Sequence, residues 1–174
     1  MRHGENGSVL NDRQVDAVIY AVLLGGSAFI TGGAGVGKSA VTRAIGLHIP
    51  LVKTAPTGVA SLIINGWTVH FKFNIRKRRV KKGEFCVYEE RVEPEDVLLT
   101  SELSTCASNP DDNTEIKEVM VITPQLEYDV NTMKTLVLDE ISMISDALFE
   151  ALDWGFRCIR KDYDHPFGNV QVLL

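Results

Sequence analysis

Cysteine is scarce in this sequence: Cys86, Cys106 and Cys158 are the three present among 174 residues, an odd number with no C-x-x-C pair. That excludes a disulfide framework and a zinc ribbon, and the three are expected to be reduced and structural. No uninterrupted apolar run approaches the roughly 20 residues of a membrane-spanning helix. The opening "MRHGENGS" has neither the apolar stretch of a signal peptide nor the arginine-rich pattern of a transit peptide. An excess of cations is also missing. Lys and Arg total 18 against 23 Asp and Glu, a net charge of −5, which argues against blanket electrostatic attachment to nucleic acid. An N-K-x-D guanine-reading segment does not occur. With 45% hydrophobic residues the chain has enough apolar matter for one soluble domain with a real core, so global disorder is excluded too.

Charge of one sign is concentrated rather than absent. "IRKRRVKK", residues 75 to 82, is a dense basic block, followed by Glu89, Glu90, Glu93, Glu95 and Asp96. A solvated loop or hairpin flank, a phosphate-backbone contact and a localisation patch are all compatible with such a block. "STCASNPDDNTE", residues 104 to 115, has the composition of an exposed loop.

Glycine clusters in "ITGGAGVGKSA", residues 30 to 40. Gly32, four residues, then Gly37, Lys38 and Ser39 match the phosphate-binding loop, whose bare backbone N–H groups wrap nucleotide phosphates that side chains would obstruct. The flanks agree. "SAFI" (27–30) is a short apolar run expected to be a strand, and Val41, Ile45 and Ile49 recur at helical spacing. In that order the helix N-terminus faces the phosphates, Lys38 reaches the β- and γ-phosphates, and the Ser39 hydroxyl is a ligand for Mg²⁺. The predicted cradle runs over Gly32, Gly33, Ala34, Gly35, Val36, Gly37, Lys38, Ser39 and Ala40.

Two further strands are expected at "LVKTA" (51–55) and "LVLDE" (136–140), the second ending in two carboxylates. A carboxylate pair closing a strand is usually only solvated. Beside a phosphate loop it fits two tasks, Asp139 holding Mg²⁺ through water and Glu140 polarising the water that attacks the γ-phosphate. "APTGVASLIINGWTVHFKF" (55–73) breaks at Pro56 and Gly58 and then reads as a short helix. "SDALFEALDWGFRCI" starts at a Ser145 N-cap and places Leu148, Leu152, Phe156 and Ile159 on one core-facing stripe, and "NVQVLL" reads as a fourth strand.

The order of phosphate loop, threonine-glycine segment, D-E-I-S and P-F-G-x-V-Q resembles the first motor domain of superfamily 1, group B DNA helicases, and within them the PIF-one (petite integration frequency) family. The resemblance covers about residues 10 to 74 and 132 to 174; no family segment is recognised between them. It implies an α/β fold, a RecA-like phosphate-loop NTPase core with a mostly parallel sheet and helices on both faces. Residues 1–174 would be a partial motor domain, with about 74–133 a variable, insertion-like region. It also implies ATP and Mg²⁺ as cofactors, Lys38 and Glu140 as catalytic residues, and single-stranded DNA and a duplex or fork as partners. The expected actor is a monomer away from membranes, nuclear in the first instance, with mitochondrial or viral-cytoplasmic settings also suiting the family.

Carried over by position, Gln14 of "LNDRQ" resembles the residue that reads the adenine edge. Asn11 and Gln14 are equally spaced as a helix capping box. Thr57 and Gly58 of "APTGVAS" resemble the grip on a strand phosphate, with His70 of "TVHF" near the strand or simply in the core. Trp67 and Phe71 suit base stacking or core packing. Departures from the family are Val36 where threonine is common and Phe71 where serine is usual. The family's following Gly-Asp-x-x-Gln-Leu-Pro-Pro segment and its second motor domain, with an arginine finger worth about 10³–10⁵ in rate, do not appear before Leu174. A fragment with weak ATPase activity at best is therefore expected. Other readings are a nonenzymatic ATP- or DNA-binding regulatory module and a small-molecule phosphotransferase with the basic run as lid.

Overall fold

The computed structural model describes residues 9–33, 35–88 and 113–174. Ala34, the acidic positions Glu89, Glu90, Glu93, Glu95 and Asp96, Cys106, and residues 104–112 of the polar stretch lie outside the described residues.

Helices begin where a short polar side chain can take up a free backbone N–H. Asn11 caps α1 (Asp12–Leu23), Thr57 caps α3 (Gly58–Ile63), Thr68 caps α4 (Val69–Lys72), Thr123 caps α5 (Pro124–Thr132) and Ser145 caps α6 (Asp146–Arg160). The exception is α2 (Lys38–Gly46), which starts from Gly37 in the left-handed region with no side-chain cap. No side chain therefore covers its first turn at the loop, where Ala40 N–H donates to the Gly37 carbonyl at 3.0 Å.

The strands are β1 (Val52–Ala55), β2 (Trp67–Thr68), β3 (Ile75–Lys81), β4 (Cys86–Tyr88), β5 (Thr114–Ile122), β6 (Thr135–Leu138) and β7 (Gln171–Leu173). A parallel sheet runs in the order β2-β1-β6-β7. The expected first strand, Ser27–Ile30, narrows to a single parallel bridge, Ala28 with Leu173, beside β7. Three hydrogen bonds still hold it there: Ala28 N–H to the Val172 carbonyl at 3.0 Å, Leu174 N–H to Ala28 at 2.9 Å and Ile30 N–H to Leu174 at 2.6 Å. β7 offers three residues for pairing, and glycines at 25, 26, 32 and 33 on either side bring no side chains to extend the ladder.

Alternation along the strands buries both faces of this sheet. Leu136, Leu138 and Val172 join a core with α5 and α6, while Val137 and Leu173 join a second core with Val18 and Ala21 of α1 and Val41, Ala44 and Ile45 of α2. Helices thus cover both faces, as the resemblance implies. The predicted stripe of α6 is all in the first core: Leu148, Leu152, Phe156 and Ile159.

The stretch expected to be insertion-like forms a second sheet, in the order β3-β5-β4, with β3 antiparallel and β4 parallel to β5. It is not an appendage. Met120 and Ile122 of β5 and Leu126 and Val130 of α5 are buried in the main core. Gly155 lets α6 lie against β5, since a Cβ there would stand 2.5 Å from the Met120 sulfur. Cys86 on β4 and Cys158 on α6 are free thiols with sulfurs 3.2 Å apart, and burial pushes the Cys86 thiol up to about 12, so it stays protonated at neutral pH. No helix among the described residues is long and apolar enough to cross a membrane.

Phe156 is fully buried and makes edge-to-face contacts with Phe73, 5.2 Å away between centroids, and with Phe167, 5.8 Å away. Phe156→Ala is expected to destabilise the chain by about 3–5 kcal/mol, read from the urea midpoint at constant slope. A loss below about 1 kcal/mol would mean that this aromatic cluster is not the centre of the core.

Candidate functional site

All four strands of the main sheet run parallel, so their carboxyl ends lie at one edge. Three segments meet there: the loop after Ile30, the turn after Ala55 and the carboxylates after Leu138. The loop depends on backbone that side chains would not permit. Gly35 (φ 76°) and Gly37 (φ 92°) are left-handed, and a Cβ on Gly37 would stand 2.6 Å from the Gln14 amide nitrogen. Lys38 Nζ donates to the carbonyls of Gly32 at 2.7 Å and Gly33 at 3.1 Å, so the loop curls around its own ammonium.

Gln14 is engaged at both ends of its amide. Its Oε1 accepts from Asn11 N–H at 2.9 Å, completing a capping box with Asn11, and its Nε2 donates to the Val36 carbonyl at 3.0 Å. The capping alternative is therefore realised. The same residue also ties α1 to the tip of the phosphate loop.

Asp139 continues the ladder between β1 and β6, its N–H donating to the Thr54 carbonyl at 2.9 Å, and its Oδ1 accepts from Glu140 N–H at 3.1 Å. Glu140 itself is left-handed (φ 52°) at the head of a 3₁₀ turn, Ile141–Met143. For a non-glycine residue that conformation costs roughly 1–2 kcal/mol, and it swings the second carboxylate out of the strand direction.

A cavity of about 710 Å³ brings Gly32, Lys38, Ser39, Asp139 and Glu140 together. It is further lined by Arg43 of α2, Lys53 of β1 and Asn65. Three cations thus face two carboxylates. Arg43, Lys53 and Asn65 were not legible as site residues, although Lys53 carries a signal: it is a charged residue in a central strand whose partner, Val137, is core. The remaining loop positions, Gly33, Gly35, Val36, Gly37 and Ala40, flank the cavity in sequence, and Ala34 is outside the described residues.

The predicted strand-contact residues lie on neighbouring elements. Thr57 Oγ1 accepts from Ala60 N–H at 3.2 Å, and Gly58 is the exposed first residue of α3. His70 is an exposed residue of α4 rather than a core histidine, with Nε2 3.6 Å from a Glu118 carboxylate oxygen. Trp67 and Phe71 are not core either: they are 54% and 72% exposed. The basic block is β3, an edge strand facing β5, not a loop. Within the P-F-G-x-V-Q segment, Gly168 accepts from Arg160 Nε at 2.6 Å, and Gln171 donates to the carbonyls of Ala21 and Gly26 at 2.8 and 2.9 Å. That segment braces α6 and α1 against the sheet.

Comparison with known proteins agrees with this geometry. The model of the PIF1-like helicase family matches residues 104–174. That match starts inside the stretch between residues 74 and 132, so the similarity extends beyond residues 10–74 and 132–174. ATP-dependent DNA helicase PIF1 of Homo sapiens is 29% identical over 91% of this chain and 20% of its own length. ATP-dependent DNA helicase PIF4 of Trypanosoma brucei brucei is 31% identical over 88% of this chain and 16% of its own. The chain therefore spans a fifth or less of these curated relatives. Among solved structures, Bacteroides sp Pif1 in complex with ADP-AlF4 superposes with a TM-score of 0.63 at 23% identity, over 95% of this chain and 31% of that one. Pif1 helicase from Candida albicans gives 0.61 at 24%, over 95% and 32%. The chain is thus similar in sequence to the PIF1-like helicases, and its fold is that of the RecA-like domain in these solved structures.

Gln14→Ala removes the capping box and the tether to Val36 together. We expect a loss of about 0.5–2 kcal/mol in stability and faster hydrogen exchange at the amides of residues 35–37. Unchanged exchange there would show that Gln14 does not hold the loop.

Proposed function

We propose that this chain supplies the ATP-binding half of a DNA helicase motor, in which ATP hydrolysis drives 5′-to-3′ movement along single-stranded DNA and separation of a duplex or fork. The observation that carries the reading is the single cavity in which the loop lysine and serine meet the carboxylate pair from β6. Similarity to ATP-dependent DNA helicases supports it, as do the similar structures of Bacteroides Pif1 bound to ssDNA and in complex with ADP-AlF4. From the same kinship we infer service in DNA repair, recombination and telomere maintenance, in the nucleus, by a chain acting as a monomer.

In this reading Lys38 leaves the Gly32 and Gly33 carbonyls for the β- and γ-phosphates, and the backbone N–H groups of the loop and of the uncapped α2 terminus bind the remaining phosphate oxygens. Gln14 has an amide at the loop tip with which to meet the adenine edge. The donor set around Ser39 and Asp139 suits magnesium. Both residues are oxygen donors on one cavity. Two protein ligands with phosphate and water as the others is the usual magnesium arrangement. The ion, when bound, neutralises phosphate charge. Glu140, turned out of the strand, polarises the attacking water. Thr57, Gly58 and His70 contact the strand at the same sheet edge.

The roles separate by mutation. Lys38→Ala is expected to weaken ATP binding at least tenfold, whereas Glu140→Gln keeps binding and lowers turnover by about 10²–10⁴-fold. Calorimetric ATP binding and DNA-stimulated turnover check this, the latter on the chain alone and extended through a second motor domain. Equal loss of binding in the two variants would contradict the assignment. Thr57→Ala should lower affinity for a single strand and leave ATP binding alone.

A further inference from the structure

Trp67 and Phe71 stand four residues apart and stack on one another, ring centroids 5.5 Å apart and planes 18° from parallel. Both are large apolar surfaces held in water at 54% and 72% exposure. Neither hangs on a loose loop. Trp67 is in β2, an edge strand of the parallel sheet, and the residue before it is packed so closely that a Cβ on Gly66 would run into the Lys53 carbonyl. Phe71 is in α4, its N–H donating to the capping Thr68 Oγ1 at 3.4 Å.

Register places this pair beside the threonine-glycine turn. Trp67 pairs with Thr54 and Thr68 with Ala55, so the rings flank the strand end from which Pro56, Thr57 and Gly58 emerge. Charge does the same for phosphate. In a chain of net charge −5, the residues that follow the rings include the exposed Arg76 and Lys77, while Lys72 is held by Asp129 at 2.8 Å. Flat aromatic faces next to cations, at the carboxyl edge of the sheet, are what successive bases and phosphates of a single strand require. A protein partner would not need the rings parallel.

We infer that Trp67 and Phe71 form a base-stacking platform for single-stranded DNA, on which one nucleobase lies against the outer face of the pair while its phosphates meet the neighbouring cations. The inference rests on the proposed helicase reading and adds to it a contact with bases rather than backbone. Such a contact is indifferent to sequence but requires a base.

The test uses oligo-dT and an abasic strand of equal length and charge, with binding read by fluorescence anisotropy. Wild type should prefer oligo-dT. The double variant Trp67→Ala/Phe71→Ala should lose about 5- to 150-fold in affinity for oligo-dT, the size of one base stack, and bind the abasic strand as wild type does. Phe71→Tyr should retain wild-type affinity. In a Trp154→Phe background, which leaves Trp67 as the one indole, emission should be quenched by oligo-dT and not by the abasic strand. Full ATP binding by the double variant checks that it folds. If wild type binds DNA and the double variant binds oligo-dT equally tightly, the platform is wrong while the helicase reading stands. If wild type binds neither strand, both fall.

Discussion

Everything at the functional edge depends on a parallel sheet buried on both faces. A strand in such a sheet has no solvent side, so each of its residues is committed to one helical layer or the other. Val137 of β6 is held between the same α1 and α2 layer that takes Leu173, while Leu136 and Leu138 are held by α6 and α5. A slip of one residue would exchange the two sets and expel Asp139 from its bond to Thr54. The catalytic candidates therefore owe their position to apolar neighbours. Lys38, Asp139 and Thr57 all emerge at one edge because β1, β6 and β7 cannot shift relative to one another.

What was legible in the sequence follows from how local the signal is. The loop could be read because Gly35 and Gly37 adopt left-handed backbone that few other residues tolerate, so the constraint is written in residue type. The α6 stripe and its Ser145 cap are equally local, as periodicity and capping act within a few residues. Non-local features were harder. The strand at Ser27–Ile30 is set by how much of β7 it can pair with, which no window around residue 28 reveals. β5 looked like part of an insertion because the reason for its burial, the groove left by Gly155 on α6, lies some thirty-five residues further on. Lys53 and Arg43 reach the cavity through packing of β1 and α2, and nothing adjacent in sequence marks them.

Gln14 shows how one side chain can satisfy two readings that looked exclusive. A capping box uses its Oε1 and a helix start; an adenine contact would use its amide at the loop tip. The structure directs Oε1 back to Asn11 and Nε2 forward to Val36, so the residue spans the distance between the two tasks. Any movement of the loop tip is then felt at the first turn of α1. The helix is braced in its own right, since Gln171 of β7 holds its far end through the Ala21 carbonyl. The loop is consequently anchored to the sheet by two routes, through α2 and through α1.

β1 is the element common to both halves of the edge. On one side its Thr54 carbonyl accepts from the Asp139 amide, and Thr54 Oγ1 donates to the Val137 carbonyl at 2.9 Å. On the other side the same Thr54 is in register with Trp67. The carboxylate pair and the aromatic pair are thus separated by one strand, through a residue that is fully buried. A strand that tight does not bend to pass a signal; it moves as a body or not at all. Force applied to the rings can reach the carboxylates only if β1 and the turn at Pro56 shift together, which would have to break the Asp139–Thr54 bond that positions the first carboxylate. What the sheet provides is a fixed spacing between the two pairs, set by β1.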